Sequence, residues 1–171
     1  DAQAARLDAF MHALGLRSVT LVGHSMGGAI SGVYAAEHPQ TVNRLVLVDS
    51  FGLNQKKNTF AREALAGTNP FDYDDHAGFR RSFALAFDKV PDLPSRFVDV
   101  LIQHNMRDRT FLDKVFHELG KPSQYLSVQQ RLDKLTMPVM GLWCSDDKIS
   151  DISAMDNLRD GLVNAAAISS T

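Results

Sequence analysis

The stretch Leu21-Val22-Gly23-His24-Ser25-Met26-Gly27-Gly28 decides how this chain is read. It follows Ser18-Val19-Thr20-Leu21-Val22, a short β-branched and apolar run that reads as a buried parallel strand. It leads into Ala29 to Glu37, where small and apolar residues recur at helical spacing until Pro39 ends them. Upstream, Leu7, Phe10, Met11 and Leu14 are spaced for one apolar helical face, which stops at Gly15. Downstream, Arg44-Leu45-Val46-Leu47-Val48-Asp49 repeats the buried-strand pattern. Residues 1–50 therefore predict helix, strand, helix, strand, the rhythm of a parallel sheet with helices on both faces.

Between Phe51 and Leu135 that rhythm stops. Helical patterns dominate, over Phe79 to Phe87, Ser95 to His104 and Asp108 to Leu119, punctuated by Pro70, Pro91, Pro94 and Pro122. Alternation resumes at Met137-Pro138-Val139-Met140-Gly141-Leu142-Trp143, followed by a helix over Asp156 to Leu162 and the start of a fourth strand over Ala165 to Ser169. The expected fold is an α/β sheet in three segments: core over 1–50, a helical insertion over 51–135, and core again over 136–171.

Gly23-His24-Ser25-Met26-Gly27 is a G-x-S-x-G turn between a strand and a helix. A serine hydroxyl is a weak nucleophile until a base takes its proton, so it must stand exposed where a base can reach it. A sharp strand-to-helix turn achieves this by forcing the serine into strained backbone geometry. The strand and helix then pass closely enough to require small residues on either side, a demand that Gly23 and Gly27 are expected to meet. The helix presents free N–H groups at its start, so the Met26 N–H is the expected first oxyanion donor. A bare G-x-S-x-G arises by chance in roughly one chain in twenty of this length, given glycine at about 7% of residues. The rival reading is a glycine turn gripping a phosphate. It is disfavoured because Ala29, not lysine, follows Gly28 and the spacing is not G-x-G-x-x-G.

The acid of such a site is expected on the loop after a later strand, where Trp143-Cys144-Ser145-Asp146-Asp147 leaves the third one. An Asp-Asp pair is more commonly a solvated turn. Asp49, at the end of the second strand, is a rival acid and also reads as a turn residue. The six histidines are His12, His24, His38, His76, His104 and His117; none follows Asp147, and none reads as the general base.

Composition narrows the remaining classes. The chain has 171 residues, is 44% hydrophobic and 22% charged, and carries a net charge of −2. That near-balance gives no support for a nucleic-acid partner, which would need a basic face to neutralise phosphates. No apolar run approaches the roughly 20 residues of a membrane span. One cysteine, Cys144, permits neither an internal disulfide nor a thiolate metal cluster. No metal or cofactor is expected.

The quoted elbow, the strand ending Leu47-Val48-Asp49-Ser50, and Met137-Pro138-Val139 leading to Trp143 and Asp147 resemble the α/β-hydrolase superfamily over essentially the whole chain. Within it, the chain is similar to bacterial lipase and monoacylglycerol-lipase-like esterases that carry a helical cap. The resemblance implies that Asp147 is the acid, as the fifth residue of a W-G-x-x-D pattern in which Cys144 replaces glycine. It also implies a catalytic histidine beyond Thr171 and a second oxyanion donor before Asp1, so the sequence reads as an internal fragment. The insertion is then the cap. Nine of the ten phenylalanines lie in it, between Phe51 and Phe116, either lining an acyl pocket or filling the insertion's own core. Serine-dependent hydrolysis of a carboxylic or lipid ester leads the expectations. Its alternatives are a capped C–C bond hydrolase and a hydrolase-like protein that binds without turnover. Compartment and oligomeric state are not legible.

Overall fold

The computed structural model describes residues 2–162. In chain order its elements are α1 (Ala2–Ala13), β1 (Val19–His24), α2 (Met26–Glu37), β2 (Val42–Val48), α3 (Thr59–Leu65), α4 (His76–Ala86), α5 (Ser95–Leu119), α6 (Pro122–Tyr125), a 3₁₀ turn (Gln129–Lys134), β3 (Val139–Leu142) and α7 (Ala154–Gly161). These fall into two compact units. Lys57–Lys121 with Asp147–Ile149 form the second, and the remaining described residues form the first.

In the first unit the strands make a parallel sheet in the order β1-β2-β3. Residues two apart on a strand share a face, so the pairing Leu21–Leu45–Val139 and Gly23–Leu47–Gly141 defines one face of the sheet. Leu45 and Leu47 are fully buried there with Val33, Tyr34, Val128, Leu135, Val139, Trp143 and Leu158. Burying each such aliphatic side chain contributes about 1.5–3 kcal/mol. One cluster joins this face to residues of α1, α2, the 3₁₀ turn and α7. Close packing needs small residues: a β-carbon on Gly141 would fall 2.5 Å from Met155 Sδ, and one on Gly32 would fall 2.8 Å from a Val128 methyl.

Helices on both faces were expected, but among the described residues of the first unit they gather on one. The rows Val22–Val46–Met140 and His24–Val48–Leu142 form the other face, where Val22 is 62% and Met140 41% exposed. The continuous apolar runs of β1 and β3 carry no helix there.

Three other expectations are corrected. In α1 the buried residues are Ala4 and Met11, with Leu7 packed against the core, while Phe10 and Leu14 are more than half exposed. The insertion was expected to reach Leu135, yet the first unit resumes at Pro122, because Val128, Leu132 and Leu135 are buried in its core. Ser95 to Leu119 is one helix of 25 residues rather than two, since His104 to Arg107 offers no glycine or proline to break it. The strand expected over Ala165 to Ser169 lies outside the described residues.

The second unit has its own small core, Phe79, Val98 and Ile102, against which Tyr73, Phe83, Leu93 and Leu101 pack. Two of its helices start on side-chain caps: at α3 Asn58 Oδ1 accepts the Ala61 N–H at 2.9 Å, and at α4 Asp75 Oδ1 accepts the Gly78 N–H at 2.6 Å. Arg109 Nε donates to Asp72 at 2.8 Å, fastening α5 to the loop before α4. Part of the phenylalanine content fills this core, as Phe79 and Phe83 do. Phe97 at 51% and Phe111 at 67% exposure do not. No helix among the described residues is long and apolar enough to cross a membrane.

Candidate active site

The site begins where β1 ends. Ser25 has φ 51° and ψ −122°, a left-handed conformation rare outside glycine, and α2 starts at the next residue. Conformations of this kind cost on the order of 1–3 kcal/mol and persist only where surrounding bonds enforce them. Here the bonds are main-chain. The Ser25 N–H donates to Val48 O at 3.0 Å, and its carbonyl accepts from Gly28 at 2.9 Å, Ala29 at 3.3 Å and Phe51 at 3.0 Å. The exit of β2 thus grips the elbow from both sides. The Ser25 hydroxyl stands at the helix N-terminus yet makes no capping hydrogen bond, so it is not consumed as a structural acceptor. Met26 opens α2, where N–H groups lack intrahelical acceptors, and its side chain is 45% exposed.

Small residues were expected at Gly23 and Gly27. Gly23 fits: a β-carbon there would lie 2.6 Å from Ser31 Oγ and run into the Gly27 carbonyl. Gly27 does not, for a β-carbon there meets nothing within 4 Å. The close approach on the helix side is made by Gly28. A β-carbon on it would press on Ser50 Oγ and lie 2.7 Å from Ser50 Cβ. Ser50 is 1% exposed, and its hydroxyl donates to Phe51 O at 2.8 Å. Neither role was read from the sequence, although a glycine doublet facing a small strand-exit residue was there to be seen.

Asp49, weighed above as a rival acid, sits at the end of β2 with φ 41°, the second non-glycine residue with positive φ among those described. Its N–H donates to Leu142 O at 2.9 Å, and its Oδ1 accepts the Cys144 N–H at 2.9 Å. An open depression at the carboxyl ends of β2 and β3 is lined by Val48, Asp49, Leu142, Trp143, Cys144 and Ser145. In open parallel sheets ligands bind at this end of the strands.

Asp147 follows β3 by five residues and belongs to the second unit. It is half-buried whereas Asp146 is exposed. Its Oδ1 accepts the Ile149 N–H at 2.7 Å, which gives the acidic loop a local turn. Among the histidines, His12 and His38 lie 3.9 and 3.7 Å from Asp8, His38 also stacks on Tyr34 at 4.5 Å, and His76 Nε2 meets Asp99 at 2.7 Å. Burial, then the charge of Asp8, holds the Tyr34 hydroxyl pKa above its usual value. His24 is exposed at the end of β1, and His104 and His117 are exposed on α5.

Residues 1–166 match the family described as alpha/beta hydrolase fold. The chain belongs to the α/β-hydrolase family. Among curated relatives, this α/β-hydrolase is 31% identical to the human monoacylglycerol lipase ABHD6, with 96% of the chain aligned to 52% of that protein. It is 28% identical to Lipase 3 of Moraxella sp. strain TA144, with 98% aligned to 54%. It thus spans about half the length of the curated relatives it matches. A solved membrane phospholipase A, described as a bacterial virulence factor, superposes with a TM-score of 0.85 at 29% identity over 99% of this chain and 53% of that one. The α/β-hydrolase chain is therefore similar to lipases in sequence and in fold.

Proposed function

We propose that this chain carries the nucleophile of a serine-dependent carboxylic-ester hydrolase acting on lipid esters of the monoacylglycerol class. The observation that carries the proposal is Ser25: a strained residue, gripped by main-chain bonds, with its hydroxyl uncommitted at the N-terminus of α2. Similarity to a monoacylglycerol lipase, a bacterial lipase and a phospholipase supports the substrate class.

Ser25 Oγ attacks the ester carbonyl carbon while a general base takes its proton. The Met26 N–H donates to the developing oxyanion, an interaction worth about 2.7–4 kcal/mol where single donors have been removed from comparable sites. The base then gives its proton to the departing alcohol, leaving an acyl group on Ser25. Water, deprotonated by the same base, releases the carboxylic acid and restores the serine. Asp147 orients the base.

The test uses the full-length protein with medium-chain p-nitrophenyl esters, a monoacylglycerol and a fluorophosphonate probe. The wild type labels and turns over; Ser25→Ala does neither, losing on the order of 10⁴-fold or more in kcat. Wild-type turnover by Ser25→Ala would end the proposal. A ring-cleavage diketone assayed in parallel separates ester from C–C hydrolysis.

A further inference from the structure

The bonding of Asp49 is not accounted for by a passive turn. In a regular parallel ladder the Cys144 N–H would be met by the main-chain carbonyl of Asp49, because the Asp49 N–H already donates to Leu142 O. At Asp49 the chain turns left-handed, with φ 41°, and its side-chain Oδ1 takes that N–H instead, at 2.9 Å. The side chain thus prolongs the β2–β3 ladder by one rung after the main chain of β2 has left it. The neighbouring residues on that departing segment hold the nucleophile: Val48 O accepts the Ser25 N–H, and the Phe51 N–H donates to Ser25 O. One short turn, residues 48–51, is therefore bonded to the elbow on one side and to the stem of the acidic loop on the other. Three residues along the chain from Cys144 stands Asp147.

We infer that Asp49 is a positioning residue, whose carboxylate oxygen sets, through the Cys144 N–H, the direction in which the chain leaves β3 for the loop that carries Asp147. This rests on the reading of Ser25 as nucleophile and Asp147 as acid, and it gives Asp49 a role distinct from either. What the position requires is narrow. The residue must adopt positive φ at low cost, which Asp and Asn do. It must also carry an acceptor two bonds from Cβ. Its charge is dispensable for this geometry, since an amide oxygen also accepts a main-chain N–H, if less strongly.

Those requirements define the variants. Asp49→Asn keeps both the acceptor and the tolerated backbone. Asp49→Gly keeps the backbone and removes the acceptor, so its deficit cannot be ascribed to strain. Displacement of a reacting group by about 1 Å can cost on the order of 10²-fold. In the full-length enzyme Asp49→Asn is expected within about threefold of wild-type kcat. Asp49→Gly is expected to lose on the order of 10²-fold in kcat with KM little changed, and Asp147→Asn on the order of 10⁴-fold. In parallel, hydrogen exchange read at single residues shows the Cys144 amide protected in wild type and Asp49→Asn and released in Asp49→Gly, while Val139 to Leu142 stay protected. Full kcat in Asp49→Gly would overturn the inference. So would a loss in Asp49→Asn as deep as in Asp147→Asn, which would make Asp49 itself the acid. If Asp49→Gly fails to fold, rapid exchange of the Cys144 amide in wild type overturns it and protection in wild type and Asp49→Asn upholds it. The exchange result stands whether or not Ser25 proves to be the nucleophile, so failure of the enzymatic reading is distinguishable from failure of this one.

Discussion

Adjacent glycines of the elbow should respond to the same substitution with opposite signs. At Gly28 a new methyl group would lie 2.7 Å from Ser50 Cβ and against its Oγ, with Gly23 O at 3.1 Å. Ser50 Cβ is fixed to the backbone at the β2 exit, so no side-chain rotation relieves the overlap. Either α2 or the exit of β2 must shift. Overpacking of a rigid site costs about 1–3 kcal/mol, and a backbone-rooted contact belongs at the upper end, near 2–3 kcal/mol. At Gly27 the same methyl meets nothing within 4 Å. There the substitution removes a flexible residue from the first turn of a helix and should be neutral or stabilising by up to about 1 kcal/mol. Urea unfolding measures both. With a slope of about 2 kcal/mol/M, Gly28→Ala lowers the midpoint by about 1–1.5 M and Gly27→Ala leaves it level or raises it. A double-mutant cycle identifies the contact. Ser50→Gly removes the offending Cβ and should recover most of the Gly28→Ala loss, beyond its own cost of about 0.5–1 kcal/mol. Ser50→Ala removes only the oxygen and should recover less than half. A Gly28→Ala cost under about 0.5 kcal/mol, or equal recovery from both partners, would refute the packing argument.

Other outcomes follow from the same geometry. Ser25→Gly should be more stable than Ser25→Ala by about 1 kcal/mol in thermal or urea unfolding, because glycine takes φ 51° freely, while neither turns over ester; equal stabilities would show that the elbow stores no strain. Gly32→Ala should cost about 1–3 kcal/mol by driving a β-carbon to 2.8 Å from a methyl of the fully buried Val128, and Val128→Ala in the same chain should offset part of that; strictly additive losses in the double mutant would count against the contact. The Asp151 carboxyl is held below its usual pKa by hydrogen bonds from the Ser153 hydroxyl and N–H, with Lys56 adding to the effect. Its stabilising contribution is therefore present above the unfolded-state value near pH 3.9 and lost as pH falls through the lower folded value. The gap in urea midpoint between wild type and Asp151→Asn should be constant from pH 7 to 5 and close below about pH 4; a gap that widens in acid would reverse the assignment.

The parallel sheet was legible because each strand is a short apolar run set in a helix–strand alternation, a local property. What escaped was set by distant partners. Phe10 and Leu14 satisfy the helical spacing as well as Met11 does, but burial depends on which face α2 meets, and only Ala4, Leu7 and Met11 reach it. Pro122 to Leu135 lacks a strand pattern and so reads with the insertion. Its Val128, Leu132 and Leu135 nevertheless belong to the first core, through contacts with residues far earlier in the chain, such as Gly32 and Gly52. At the site, Ser25 and Met26 were singled out from spacing alone, since the elbow is built from consecutive residues. Asp49 was noticed for its charge. Its hydrogen bond to Cys144, 95 residues away in sequence, required the sheet register.

The grip on Ser25 is made wholly of main-chain groups, from Val48 O and the Phe51 N–H. Such bonds are indifferent to side-chain identity. Positions 48 and 51 can therefore drift among residues that fit their surroundings without turning Ser25. The conformation of Ser25 is inherited with the backbone path, and lineages can exchange the side chains around it while its orientation stays fixed. Change at position 49 is constrained differently, because there a side chain has replaced a main-chain group. That single residue couples the divergence of one loop to the geometry of another.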